Sequence, residues 1–183
     1  MKQRFEILGV IIVTVFLLVS CGTEEDSTSS SAGTFNSPSG ITTDGANLYV
    51  TDTGSNTIRI IVISTGESSI FAGSTSGSAG STNGTGTEAL FNGPTDITTD
   101  GTNLFVADKG NNAIRKIVIS TGAVTLFAGS STGASGSTDG TGTAALFSGP
   151  SGITTDGTNL YVSDAGNNSI RKIVISTAAV TTL

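Results

Sequence analysis

Three prolines constrain this chain more than any other feature. Pro38, Pro94 and Pro150 stand 56 residues apart with no insertion, and Phe35, Phe91 and Phe147 keep the same step. Ile41-Thr42-Thr43-Asp44-Gly45 returns as Ile97-Thr98-Thr99-Asp100-Gly101 and as Ile153-Thr154-Thr155-Asp156-Gly157. Asn47-Leu48-Tyr49-Val50-Thr51-Asp52 returns as Asn103-Leu104-Phe105-Val106-Ala107-Asp108 and as Asn159-Leu160-Tyr161-Val162-Ser163-Asp164. A fixed period of this length means stacked supersecondary units, none of which can bury its apolar surface alone.

Each unit holds four strand-forming segments. In the middle unit these are Ile97–Thr99, Leu104–Ala107, Ala113–Ser120 and Ala123–Ala128. The turns between them, Asp100-Gly101-Thr102-Asn103, Asp108-Lys109-Gly110-Asn111-Asn112 and Thr121-Gly122, supply residues that tolerate positive φ. Three tight turns joining four strands describe an antiparallel meander. The second strand does not alternate: Leu104, Phe105, Val106 and Ala107 are all apolar. A sheet with one wet face would alternate, so these sheets are covered on both faces, as stacked blades are. A parallel β-helix, the competing repeat architecture, does not need three hairpin turns per unit.

The units resemble NHL repeats, whose pattern runs Pro, Gly-Ile, Asp-Gly, Leu-Tyr-Val, Ala-Asp, Asn, Ile-Arg-Lys. The third unit carries it as Pro150-Ser151-Gly152-Ile153, Asp156-Gly157, Leu160-Tyr161-Val162-Ser163-Asp164 and Asn167-Asn168-Ser169-Ile170-Arg171-Lys172. The middle unit departs at Thr95-Asp96 and the first at Arg59-Ile60. The resemblance spans residues 35–183. It implies an all-β chain of β-propeller blades, most often six to a ring, and a binding surface more often than an enzyme. Three four-stranded blades are expected, at 35–73, 91–129 and 147–183, forming an incomplete propeller. Each unit exceeds the about 40–45 residues of an ordinary blade; the surplus, 74–90 and 130–146, reads as flexible polar loops between blades.

The N-terminus reads as an address. Lys2 and Arg4 precede the apolar run Ile7–Val19, which as a helix would reach only about 20 Å of a roughly 30 Å hydrocarbon core. That is signal-peptide length. Leu18-Val19-Ser20-Cys21 then resembles the lipobox of bacterial lipoproteins. The resemblance implies cleavage before Cys21 and attachment of diacylglycerol to its thiol, with an acyl chain on its amine, and two or three chains anchor stably. A plain secretory signal or an uncleaved anchor is the alternative. Gly22 in place of Asp points toward the outer membrane. Residues 22–34, rich in Ser and Thr, form a tether.

Composition removes much chemistry. The chain has no His, no Trp and a single Cys, so imidazole catalysis, Trp stacking, intrachain disulfides and Cys metal clusters are excluded. Net charge is −6, and −7 after loss of residues 1–21, which gives little attraction for nucleic acid.

Asp52, Asp108 and Asp164, each followed four residues later by Asn56, Asn112 or Asn168, are open to two readings: oxygen ligands of a calcium half-site, or a turn device repeated in every blade. Arg59, Arg115 and Arg171, with Lys116 and Lys172, read as blade-edge charges pairing with Asp or solvent, or as an anion-binding rim. A catalytic residue is needed once, and these occur three times. The expectation is therefore a lipid-anchored, non-catalytic binding or scaffold module of the cell envelope, recognising a protein or glycan, with no cofactor, metal or catalytic residue. A calcium-dependent lactonase-like hydrolase or a lyase is the alternative. Three blades leave two open faces. A truncated reading frame of a longer protein, a homodimer closing a six-bladed ring, or another capping partner would each account for them.

Overall fold

The computed structural model describes residues 33–183. Cys21, the apolar run before it and nearly all of the tether lie outside the described residues. Among the described residues no helix is long and apolar enough to cross a membrane.

The first unit folds into β1 (Pro38–Thr43), β2 (Asn47–Asp52), β3 (Thr57–Val62) and β4 (Ser68–Ala72). The second contributes β5 (Gly84–Thr85), β6 (Pro94–Thr99), β7 (Asn103–Asp108), β8 (Ala113–Val118) and β9 (Ala123–Gly129). The third contributes β10 (Gly140–Thr141), β11 (Pro150–Thr155), β12 (Asn159–Asp164), β13 (Ser169–Val174) and β14 (Ala179–Thr182). Each blade is an antiparallel meander from inner to outer strand, as the turns require. Each proline opens an inner strand, where its missing N–H costs no ladder bond, and a bulge follows it.

Turn chemistry fixes the hairpins. Asp44 Oδ1 accepts the N–H groups of Ala46 at 2.9 Å and Asn47 at 2.7 Å, and Asp100 and Asp156 do the same in their units. Between them Gly45, Gly101 and Gly157 adopt φ of 92°, 87° and 87°, a region closed to residues with a β-carbon.

Two features differ from the sequence reading. Blades two and three have five strands and not four. The extra strand comes from the surplus segments: β5 pairs with the outer strand of the blade that follows it, Gly84 opposite Val124 and Thr85 opposite Ala123, and β10 pairs likewise with β14. The surplus segments are also not bare polar loops. Ala89 and Ala145 are fully buried, and each segment straps the outer edge of the next blade before the chain enters its inner strand.

The core lies between blades. Tyr49, Ile58 and Ala72 of blade one pack on Ile97, Leu104, Val106 and Ile117 of blade two. Phe105, Ile114 and Ala128 of blade two pack on Leu160, Val162 and Ile173 of blade three. The unbroken apolar run in β7 is thus buried on both faces. Tyr49 meets Phe71 and Phe105 meets Phe127 at ring separations of 5.2 and 5.1 Å, in tilted or edge-on geometry.

Candidate functional site

The repeated polar residues converge at one end of each blade, where the second strand turns into the third. In blade two, Asp108 is fully buried. Its Oδ1 accepts the N–H of Asn92 at 2.8 Å, and its Oδ2 accepts Asn111 Nδ2 at 2.7 Å and Arg115 Nη1 at 3.2 Å. Gly110 donates its N–H to the carbonyl of the same Asn92 at 2.8 Å. A β-carbon on Gly110 would sit 2.7 Å from that carbonyl oxygen, so only glycine allows the approach. Asn112 closes the turn with φ of 51°, a conformation asparagine tolerates. Its Nδ2 donates to Gly133 O at 2.9 Å, and its Oδ1 accepts the N–H of Gly149 at 2.8 Å. The three parts of Asp-x-Gly-x-Asn therefore each hold backbone. Asp and Gly grip the chain as it enters its own blade, and Asn pins both ends of the segment leading to the next.

Arg115 completes this arrangement. It is 1% exposed, which corrects the expectation of a solvent-facing edge charge while keeping its Asp partner. The hairpin register places Asp108 opposite Ala113, so Arg115 lies on the same face as Asp108. Its Nη1 also donates to Leu90 O at 2.9 Å, and its Nη2 donates to Thr82 O at 3.1 Å and Asn83 Oδ1 at 3.0 Å. All three acceptors belong to the strap. The guanidinium stacks over Phe91 at 5.3 Å, which explains why a phenylalanine begins every unit. Burial pushes Asp108 up to about 6 against the pull of Asn92, Asn111 and Arg115. Burial also lowers the Arg115 pKa, with Asp108 opposing.

Blade three repeats the pattern with Asp164, Asn167, Arg171 and Phe147. Asp139, in place of Asn83, adds a second carboxylate 2.8 Å from Arg171 Nη2. Blade one keeps part of it. Asp52 accepts the N–H of Asn36 at 2.6 Å and Ser55 Oγ at 2.8 Å, while Arg59 donates to Ser68 Oγ at 2.8 Å and stacks over Phe35. Lys116 and Lys172 are half-buried on the third strands.

The carboxylates singled out as a calcium half-site are thus aimed at N–H donors, each within a separate blade. Among the described residues no group of three or more His, Cys, Asp or Glu could hold a metal ion. Asp96, present only in the middle unit, sits on an inner strand. Its Oδ1 accepts the N–H of Ile97 at 2.9 Å and its Oδ2 that of Ile153 in the next blade at 2.8 Å. A cavity of about 90 Å³ beside Arg115 is lined by Ser81, Asn83, Asn111 and Ser130. It falls well below the about 300–1,000 Å³ of ordinary small-molecule sites.

No family model matches the sequence, and no curated protein does. Solved structures do. An auxiliary nutrient binding protein from Bacteroides thetaiotaomicron VPI-5482 is similar with a TM-score of 0.63 at 24% identity, over 78% of this chain and 36% of its own. A protein of unknown function from the same organism gives 0.62 at 29% identity, over 74% and 32%. Virginiamycin B lyase from Staphylococcus aureus gives 0.55 at 25% identity, over 81% and 41%. The sheets are β-propeller blades. The chain spans about a third to two fifths of the length of these propellers.

Proposed function

We propose that this chain is an NHL-type propeller module, anchored at a bacterial cell envelope through Cys21, that binds a protein or glycan without catalysis. The observation that carries this reading is the use made of the repeated polar groups. Asp, Asn and Arg at the blade ends are spent on backbone and on one another, and a cavity of about 90 Å³ leaves recognition to an extended surface. The nutrient-binding neighbour supports the binding side of this reading through the shared fold.

The lyase neighbours favour a second reading. One lyase structure, from Staphylococcus aureus with quinupristin bound, is of a variant made catalytically inactive by a histidine-to-alanine change. This chain contains no His, so that residue has no counterpart here.

The test has two arms. Cys21→Ala should move the protein from the detergent phase to the aqueous phase on partitioning; equal detergent recovery of parent and variant would refute the anchor. The purified chain should bind envelope protein or glycan fractions saturably and show no lactone or ester turnover with or without calcium. Calcium-dependent turnover abolished by a single Asp→Asn change would overturn the non-catalytic reading.

A further inference from the structure

The two outward faces of the three-blade arc are the two halves of an interface that the molecule already makes twice. Blade three presents Tyr161 and Ile170 outward, where blade two buries Phe105 and Ile114 against its neighbour. Blade one presents Ile41 and Ile63 outward, where blade two uses Ile97 and Ile119. Exposure follows the missing neighbour. Ile97 and Ile114 are 3% and 0% exposed, and their counterparts Ile41 and Ile170 are 59% and 47%.

The polar contacts of that interface are also laid out on the free faces. Thr51 Oγ1 accepts the N–H of Gly40 at 2.7 Å and donates across the blade boundary to Thr95 O at 3.3 Å. Ser163 accepts the N–H of Gly152 at 2.8 Å in the same way, and the carbonyl corresponding to Thr95 is that of Ser39. Asn56 and Asn112 accept the N–H groups of Gly93 and Gly149 at 2.7 and 2.8 Å. Asn168 shares their left-handed backbone and is exposed, and the corresponding N–H belongs to Ser37. Ser37 holds φ of 58°, against 60° and 58° for Gly93 and Gly149, so its N–H is presented alike.

The shapes match as well. A depression of about 310 Å³ lies on the free face of blade three among Gly152, Tyr161, Ser163 and Ile170. On blade one the equivalent ground is occupied by blade two: a β-carbon on Gly40 would lie 2.6 Å from Asp96 Cα.

We propose that blade one of a second copy seats on the free face of blade three, and the reverse, closing a six-bladed ring. Gly40 and Ile41 of each copy fill the depression, Asn168 accepts the N–H of the other copy's Ser37, and Ser163 donates to its Ser39 carbonyl. Such a head-to-tail contact grows without limit unless it closes. Two copies give six blades, within the about four to eight at which propellers close. The proposal does not depend on which ligand the module binds.

The chain beginning at Gly22 retains every described residue, and all contacts given above lie within it. Sedimentation velocity across the micromolar range should show a dimer and nothing larger. Ile41→Glu and Ile170→Glu each place a charge at a position already open in the single copy, so the fold of each copy is untouched. Each should weaken dimerisation at least about 100-fold, since it buries an unpaired charge at both contacts, with unchanged circular dichroism. Asn168→Ala should weaken it less. A monomer at all concentrations, a dimer indifferent to both Glu variants, or assemblies growing beyond two copies would each overturn the ring.

Discussion

Replacing Arg115 with Met tests whether the buried guanidinium holds the strap to its blade. Methionine keeps the apolar stem against Phe91 and removes every donor. Four hydrogen bonds are lost, to Leu90 O, Asp108 Oδ2, Thr82 O and Asn83 Oδ1. Asp108, wholly buried, loses its cation. Breaking a buried pair by removing one partner costs about 3–5 kcal/mol, a large share of the roughly 5–15 kcal/mol that holds a domain folded. A domain of this size should then lose about 6–20 °C of melting temperature. Arg59→Met is the internal control, because Arg59 donates to one side chain, Ser68, and lacks the Asp contact. Its cost should be about 1 kcal/mol. Urea titration gives both values, and the comparison holds if the slopes agree. Limited proteolysis should also show Ser74–Leu90 newly cleavable in Arg115→Met, because the carbonyls of Thr82 and Leu90 are no longer held. Costs for the two variants within about 1 kcal/mol of each other would refute the reasoning.

Two further outcomes are expected. Ala178 holds φ of 56° where the other units place Gly66 and Gly122 at 74° and 70°; Ala178→Gly should stabilise the chain by about 0.5–1 kcal/mol in the same urea assay, and a loss of stability would refute the strain. The phenol of Tyr49 is pushed up to about 12 by burial and by its 2.9 Å bond to Asp44, and Tyr161 is raised by Asp156 in the same way. The folded state thus favours the neutral phenol, so its contribution is complete below pH 10.0 and is lost as pH rises to about 12. Tyrosinate absorbance during an alkaline titration reads both residues, the chain having only two, and ionisation of both near 10.0 would refute these contacts.

The blades were legible because their signals are local. The Pro38–Pro94–Pro150 period, the Asp-Gly turns and the doubly apolar run in β7 each follow from residues a few positions apart. The strap was not legible. β5 is two residues, Gly84 and Thr85, in a stretch of Gly, Ser and Thr with no apolar alternation, and it pairs with a strand almost forty positions away. The burial of Arg115 was hidden for a related reason, since its acceptors Thr82 and Leu90 lie 33 and 25 residues back. One signal was available. Asp and Arg recur seven residues apart in every unit, and a five-residue turn between two paired strands places such a pair on one face. The Phe that opens each unit is the second half of that signal, because a buried guanidinium needs a plate as well as a counter-charge.

What repeats and what does not can now be separated by physical role. Positions identical in all three units are those whose bonds stay inside the blade stack: Asp52, Asp108 and Asp164 hold the incoming strand, and Asn56 and Asn112 hold the departing segment. Such bonds make the same demand in every blade, so the same residue answers it. Lys109, by contrast, stands where blade one has Thr53, whose hydroxyl donates to Pro94 O at 2.6 Å, and blade three has Ala165. Asp96 stands where the others have Gly40 and Gly152. These two positions carry charge in one blade only, one on the inner strand and one at the turn beside it. A ligand that distinguishes one blade from another must read residues of this kind, because the repeated carboxylates and guanidiniums are already committed to the fold.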